Sequence, residues 1–371
     1  MDPSAGNDGK TSAGRRFLIV SASMGSGHAA VAAELIRRLE GAGHTTADVD
    51  VLELLPPGVG RGVREFYRGA VCHVPAVYAA VYAVFLRPGR GPRPGNGPMV
   101  ALAEKRFLRL VEEWEPDVVV PVFHLAAQLT GRLRARGALS APSAVVITDF
   151  AVHRQWLHPG NDLDLCLTSG IADEVRLALG RSAAVSGPLV AERFHSPSVA
   201  PDRTRVLGGT RRGPVLISTG AWGAGTHVLE TAGLVADAGF LPVVLCGRNT
   251  RLRSRVARTT GVAALGWVTD MPGLLASSHA LIDNAAGQTA LEALAAGLPV
   301  IGYRPIPGHG KDGVRRMADE GLTARATGPA SLLRALDEVS VPGPVREGRA
   351  AAARHLFAAD ALPYLEDLAG A

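Results

Sequence analysis

The stretch LIDNAAGQTALEALAAGLPVIG, Leu281 to Gly302, constrains this chain more than any other. Leu281 and Ile282 end an apolar run. Asp283, Asn284 and Gly287 make a polar turn, Gln288 to Ala295 follows a helical pattern, and Gly297 stops it before a second strand at Leu298 to Ile301. This geometry aims the first N–H groups of a helix beyond a strand end, where an anion such as a phosphate is favoured. Glu292 lies one turn past Gln288 on the same face, and its carboxylate can accept hydrogen bonds from ribose hydroxyls. Phosphate at the turn and ribose at the carboxylate together describe a nucleotide.

The same alternation runs along the whole chain and predicts α/β architecture with parallel sheets. Strands are expected at Arg16 to Ser21, Asp48 to Leu54, Asp117 to Val120, Ser143 to Thr148 and Leu163 to Thr168, with helices at Gly27 to Glu40, Met99 to Trp114 and His124 to Arg136. A Pro, Gly and Arg-rich stretch breaks the rhythm. It then restarts with strands at Pro214 to Thr219, Leu241 to Cys246, Val262 to Leu265, His279 to Asp283 and Leu298 to Gly302. The reading divides the chain into a polar, disordered tail (1–15), a first Rossmann-like domain (16–186), a linker (187–213), a second Rossmann-like domain (214–345) and an alanine-rich helical tail (346–371) that packs back on the first.

With 371 residues, 47% of them hydrophobic, the chain can build two cores. No apolar run reaches the roughly 20 residues of a membrane span. The polar N-terminus lacks the apolar core of a signal peptide. Cys72, Cys166 and Cys246 are scattered without metal-ligand spacing, which points to a reducing, cytoplasmic compartment. The formal net charge is +5, yet Arg61 to Arg109 alone holds nine Arg and Lys against two Glu. Arg61, Arg64, Arg68, Arg87, Arg90 and Arg93 there bracket aromatic and aliphatic residues at helical spacing, among them Tyr78, Tyr82 and Phe85. A basic rim around apolar side chains suits an anionic membrane surface. The same pattern also fits a pair of core helices with a solvated edge. Nucleic acid is disfavoured because the arginines form no polar stripe.

Three further loops carry candidate chemistry. After the first strand, Gly25, Gly27 and Ala30 fit a dinucleotide fingerprint with Asp48 or Asp50 downstream, which keeps an NAD enzyme open, and His28 begins the following helix, as substrate ligand or as cap. Asp149 and His153 lie beyond the end of another strand, where a carboxylate-positioned His makes a general base; a hydrogen-bonded structural His is the alternative. In STGAWGAG, Gly220, Gly223 and Gly225 let backbone N–H groups approach a phosphate, or simply make a tight turn.

GSGH after the first strand, TDF with a downstream His, CGRN at Cys246 to Asn249, LGWVTDMPGLLASSHALI, the glycine turn with its Glu helix and PGHGKDG at Pro307 to Gly313 occur in an order and spacing that resemble one family. From Arg16 to Gly321 the chain resembles the GT-B glycosyltransferases of the diacylglycerol glycosyltransferase type. These are relatives of monogalactosyldiacylglycerol synthase and the processive glucosyltransferases, and more distantly of the peptidoglycan lipid-intermediate GlcNAc transferase. The resemblance implies an inverting transfer from a UDP-hexose to a lipid acceptor, with no metal or other cofactor, on the inner face of the plasma membrane. It would make His153 the acceptor-side base, with Asp149 and His28 beside it. Gly25 and Gly27 would face donor and acceptor, and Gly220, Ala221 and Gly223 with Ala286, Gly287, Gln288 and Thr289 would hold the diphosphate. Glu292 would bind ribose, and Gly266 and Trp267 would line the uracil pocket near Cys246 and Arg248. His309 and Lys311 would lie near the sugar. The chain departs from the family in carrying Asp283-Asn284 before the turn, and His309-Gly310 where a Gln or Glu commonly follows the PG dipeptide. A soluble acceptor, a UDP-sugar epimerase and a non-catalytic nucleotide-sugar binder are the rival readings.

Overall fold

A computed structural model describes residues 14–87, 95, 97–196 and 212–370. Most of the N-terminal tail, Arg90 and Arg93 in the Gly/Pro loop, and the middle of the linker lie outside the described residues.

In the first half, β1 (Arg16–Ser21) pairs in parallel with β2 (Thr45–Asp50) on one side and β3 (Val118–Pro121) on the other. β4 (Ala144–Val146), β5 (Leu163–Cys166) and β6 (Ala184–Val185) form a second parallel trio. The Val119 N–H donates to Pro142 O at 2.9 Å and Val119 bridges Ser143, so the two trios continue as one surface. In the second half, β7 (Pro214–Ser218), β8 (Leu241–Leu245), β9 (Ala263–Leu265), β10 (Ala280–Asp283), β11 (Val300–Tyr303) and β12 (Thr323–Ala326) form one sheet in the order β12-β11-β10-β7-β8-β9. β3, β7, β8, β10 and β11 are buried along their whole length, because helices cover both faces. The architecture is two Rossmann-like layers. Strand order reverses between β1 and β3, and again between β7 and β10, and ligands of such sheets lie beyond the strand ends at these switch points.

The chain ends by crossing back. Helices Pro344–Leu356 and Leu362–Gly370 follow the second sheet, yet Ala361 and Leu365 are buried in the first half's core. Arg38 meets Asp360 at 3.0 Å and His44 meets Glu366 at 3.0 Å. One apolar cluster also spans both halves, with Phe150 and Trp156 in the same core as Leu281 and Ala286.

Two local expectations need correction. The second strand is Thr45–Asp50 rather than Asp48 to Leu54, because register with β1 ends at Asp50. Val51, Leu52, Leu54 and Leu55 are buried from a turn, so the apolar run marked burial and not a strand. The basic segment forms helices Val59–His73 and Pro75–Val81 and a π-helical turn, Tyr82–Leu86. No described helix is long and apolar enough to cross a membrane.

Candidate functional site: a cleft between two sheets

The β10 turn is built around Asp283, which is 2% exposed. Its Oδ2 accepts from the amides of Ala285 at 2.9 Å and Ala286 at 2.6 Å. Those two amides are therefore taken, and Ala286 faces the core, so it is no phosphate ligand. The amides of Gly287, Gln288 and Thr289 donate to no acceptor among the described residues. They form the N-terminus of helix Gln288–Ala295 and line the same 210 Å³ cavity as the Gly220 loop. The Asp283-Asn284 departure is thus structural: Asp283 folds the turn, and the Asn284 side chain donates to Ala224 O at 3.0 Å, tying the two loops together. Gly220 and Ala221 line the cavity, whereas Gly223 does not and packs on Asn249. Gly247 is a residue the sequence reading missed. At φ +56° it presses on the Gly220 loop, where a Cβ would sit 2.4 Å from Gly220 O.

A neighbouring 390 Å³ cavity is lined by Glu292, Gly266, Trp267, Gln288, Thr289 and Arg193 among others. Burial pushes the Glu292 carboxyl up to about 7, and Arg193 partly offsets this. Arg193 lies in the linker, where no pattern marked it. Arg248 does not line the cavity; its guanidinium stacks over Trp267, 4.3 Å from the ring centroid. Cys246 is wholly buried in the core and does not reach the cavity, because its alternate at the strand end, Gly247, faces that way. Lys311 is exposed and lines none of these cavities.

On the other side of the GSGH loop lies an apolar cavity of 630 Å³, walled by Met24, Val63, Phe66, Tyr67, Val81, Phe85 and Met99. His28, Asp149 and His309 line both this cavity and the 210 Å³ one, so they stand at the junction. His28 Nδ1 lies 3.1 Å from Val122 O, which makes it the protonated nitrogen and leaves Nε2 a free lone pair. Burial lowers the His28 pKa, Asp149 pulls it partly back, and the ring is neutral at pH 7. Asp149 Oδ2 is held by the Trp156 indole N–H at 2.9 Å.

His153 stands differently. It lines only the apolar cavity, is 3% exposed, and its Nε2 is 3.9 Å from Asp149, too far for a hydrogen bond. Its Nδ1 finds no partner beyond its own backbone. Burial, then His124, holds its pKa well below the usual value. His124, at the start of the helix after β3, is half-buried, and desolvation pushes it down to about 3. Its position past a strand end at the switch point was a readable signal.

Of the proposed membrane residues, Tyr78 (2% exposed) and Tyr82 (4%) are buried and point away from solvent. The Tyr78 hydroxyl bonds His309 Nδ1, and the Tyr82 hydroxyl donates to Asp312 Oδ2 at 3.1 Å. The first residues of helix His309–Asp319 cover the face that the helical spacing assigned to lipid. Phe66, Val74, Val77, Val84 and Phe85 remain exposed, with Arg61 and Arg68 beside them. Arg64 instead donates to Ser23 Oγ at 3.1 Å. The dinucleotide reading loses its acidic residue, since Asp50 accepts from the amides of Ser23 and Leu52 and Asp48 from the Ser21 hydroxyl.

Two such sheets with glycine-bearing loops at the strand ends around a shared cleft define the GT-B glycosyltransferase fold. Solved structures agree. The glycosyltransferase SnogD from Streptomyces nogalater superposes with TM-score 0.59 at 18% identity, covering 96% of this chain and 99% of its own. Acinetobacter baumannii MurG gives TM-score 0.59 at 14% identity over 96% and 99%. Residues 28–181 match the family described as Monogalactosyldiacylglycerol (MGDG) synthase. The processive diacylglycerol beta-glucosyltransferase of Bacillus subtilis (strain 168) is 26% identical over 333 residues, 83% of this chain and 82% of that protein. The fold is that of the GT-B glycosyltransferases, and over most of its length the chain is similar to diacylglycerol glycosyltransferases, as its motifs implied.

Proposed function

We propose that the chain transfers a hexose from a UDP-hexose to diacylglycerol in an anionic bilayer, with inversion at the anomeric carbon and without a metal. The observation that carries this reading is the junction: His28 and Asp149 line both the apolar cavity and the cavity of free helix N-terminal amides. An acyl-bearing alcohol fits the first and a diphosphate the second, so the reacting atoms meet at His28.

As the acceptor oxygen attacks the anomeric carbon, His28 Nε2 takes its proton, and Asp149 stabilises the imidazolium that forms. The bond from the anomeric carbon to the β-phosphate oxygen breaks, and UDP leaves with growing negative charge. The amides of Gly287, Gln288 and Thr289 and the helix dipole meet that charge; one such donor is worth roughly 3–4 kcal/mol. Glu292 takes the ribose hydroxyls, and the Gly266–Trp267 wall takes the base. This moves the base role from His153 to His28. His153 supports the wall of the acceptor cavity. Phe66 and Phe85 at the mouth of that cavity, with Val74, Val77 and Val84 exposed nearby, favour a bilayer-borne acceptor over a soluble aglycone. The apolar cavity itself disfavours an epimerase, which has no acceptor. Arg61 and Arg68 would place the rim on the anionic inner face of the plasma membrane.

UDP release from UDP-glucose and UDP-galactose, followed with and without diacylglycerol in anionic vesicles, tests the reading. Release should depend on diacylglycerol. Equal release without it would make the chain a hydrolase or an enzyme of another acceptor.

A further inference from the structure

His309 opens helix His309–Asp319, and the structure shows what holds its ring. The ring is half-buried at the junction of the acceptor and diphosphate cavities. Its Nδ1 is occupied by the Tyr78 hydroxyl. Tyr78 stands edge-on to the imidazole, with ring centroids 5.7 Å apart at 89°. Behind it stands Tyr67, also edge-on at 5.5 Å and 89°, within hydrogen-bonding reach of Tyr78 and packed in turn on Trp222 of the phosphate loop. The backbone is shaped for this contact. Gly308 has φ +75°, and a Cβ there would sit 2.5 Å from the Tyr82 ring. Tyr82 also holds the helix from the next turn through Asp312.

A phenol is a stronger hydrogen-bond donor than a neutral imidazole N–H, and an imidazole lone pair is a stronger acceptor than a phenol oxygen. The contact therefore runs from the Tyr78 O–H to Nδ1. Imidazole has one proton to place, so it must sit on Nε2. A Gln at this position would offer both a donor and an acceptor. His309 offers only a donor on the nitrogen that Tyr78 leaves free.

Resting on the transferase reading above, we propose that Tyr78 is a positioning residue: it locks His309 as the Nε2–H tautomer, so that a lone N–H donor faces the donor hexose and determines which hexose is accepted. A residue read from sequence as membrane-facing thereby acts on sugar selection. Losing the lock frees His309 to present a lone pair instead, and a site built around one hydrogen-bond polarity discriminates poorly once that polarity is mixed.

The test uses the full chain with ¹⁵N-labelled histidine, and Tyr78→Phe, His309→Gln and His309→Ala variants. Nitrogen shifts of the His309 signal, assigned by its loss in His309→Gln, should show Nε2 protonated and Nδ1 bare in the parent, and a mixture of tautomers in Tyr78→Phe. The ratio of kcat/KM for UDP-glucose to that for UDP-galactose should shift roughly tenfold in Tyr78→Phe, the worth of one hydrogen bond, while the Kd for UDP stays within about twofold. Tyr78→Phe should leave the ratio unchanged in the His309→Ala background, because it acts through His309. The Tyr78→Phe and His309→Gln double variant should recover His309→Gln behaviour. An unchanged tautomer in Tyr78→Phe, or the same shift of ratio in the His309→Ala background, overturns the proposal. Should no UDP-hexose be turned over by the parent, the transferase reading fails, and the tautomer measurement still decides whether Tyr78 sets the proton on His309.

Discussion

At the scale of single residues, two carboxylates and two histidines divide the work by environment. Glu292 sits where desolvation raises its pKa to about 7; few waters reach the carboxylate, and its lone pairs are available to a ribose. Glu292→Ala should weaken UDP binding by roughly 1.5–3 kcal/mol, the value of a hydrogen bond to a charged acceptor. The melting temperature at pH 8 should not fall, because the variant removes a desolvated charge. Calorimetry with UDP checks the first part and a thermal scan the second; unchanged UDP affinity would remove Glu292 from the site. His153→Ala should lower turnover far less than a general base is worth, roughly 10²–10⁴-fold. A loss of that full size, with UDP affinity intact, would return the base role to His153. The sequence placed Asp149 and His153 four apart, which suggested a pair. The segment is a turn rather than a helix, and the two side chains end 3.9 Å apart.

At the scale of elements, local signals were legible and covering surfaces were not. The strand, turn and helix read from Leu281 to Gly302 appear as Ala280–Asp283, Gln288–Ala295 and Val300–Tyr303, because an apolar run, a Gly before the helix and a Gly after it act within a few residues. What the turn's amides do was not legible. Asp283 takes two of them, and only its three-dimensional reach shows which remain. Tyr78 and Tyr82 share a helical face with their apolar neighbours, but spacing does not tell what covers a face. The cover comes from His309 and Asp312, more than 200 residues away in the chain. Phe66, on the preceding helix, and Val77, beside Tyr78, stay exposed, so the membrane expectation moves to them. Replacing Arg61 and Arg68 by Glu should strip the protein from anionic vesicles in a sedimentation assay, since each basic residue near such a surface contributes about 1 kcal/mol. UDP affinity should stay unchanged. Parent protein left in the supernatant at low salt would sink the membrane placement.

At the scale of the molecule, the two halves are joined where histidines are buried. His28, His124, His153 and His309 all have folded-state pKa values below that of an exposed imidazole, with burial the largest cause. The unfolded chain therefore binds protons that the folded one refuses as pH drops below about 6.5, and stability rises with pH across that window. Each such group contributes up to about 1.4 kcal/mol per pH unit. Glu292 and Asp164, raised to about 7 and about 6, act in the opposite direction between roughly pH 4 and 7 and offset part of it. His158 and His279 are lowered as well, and Asp48 and Asp283 raised, so six histidines act against four carboxylates and the melting temperature should fall between pH 6.5 and pH 5. A flat profile there would mean that the histidines are not buried together. Two Rossmann-like layers were readable from the alternation of strands and helices. The short strand β6 and the weakly apolar β12 were not, because neither carries a run of strand-forming residues.

The central claim is that His28 stands where a lipid cavity meets a nucleotide cavity and takes the acceptor's proton there. Label passing from UDP-glucose or UDP-galactose into the lipid extract of diacylglycerol-containing vesicles measures this directly, with His28→Ala run beside the parent at saturating donor. Parent protein should label the lipid, and His28→Ala should do so roughly 10²–10⁴-fold more slowly at unchanged UDP affinity. Label confined to the aqueous phase with parent protein, or equal lipid labelling by His28→Ala, would contradict it.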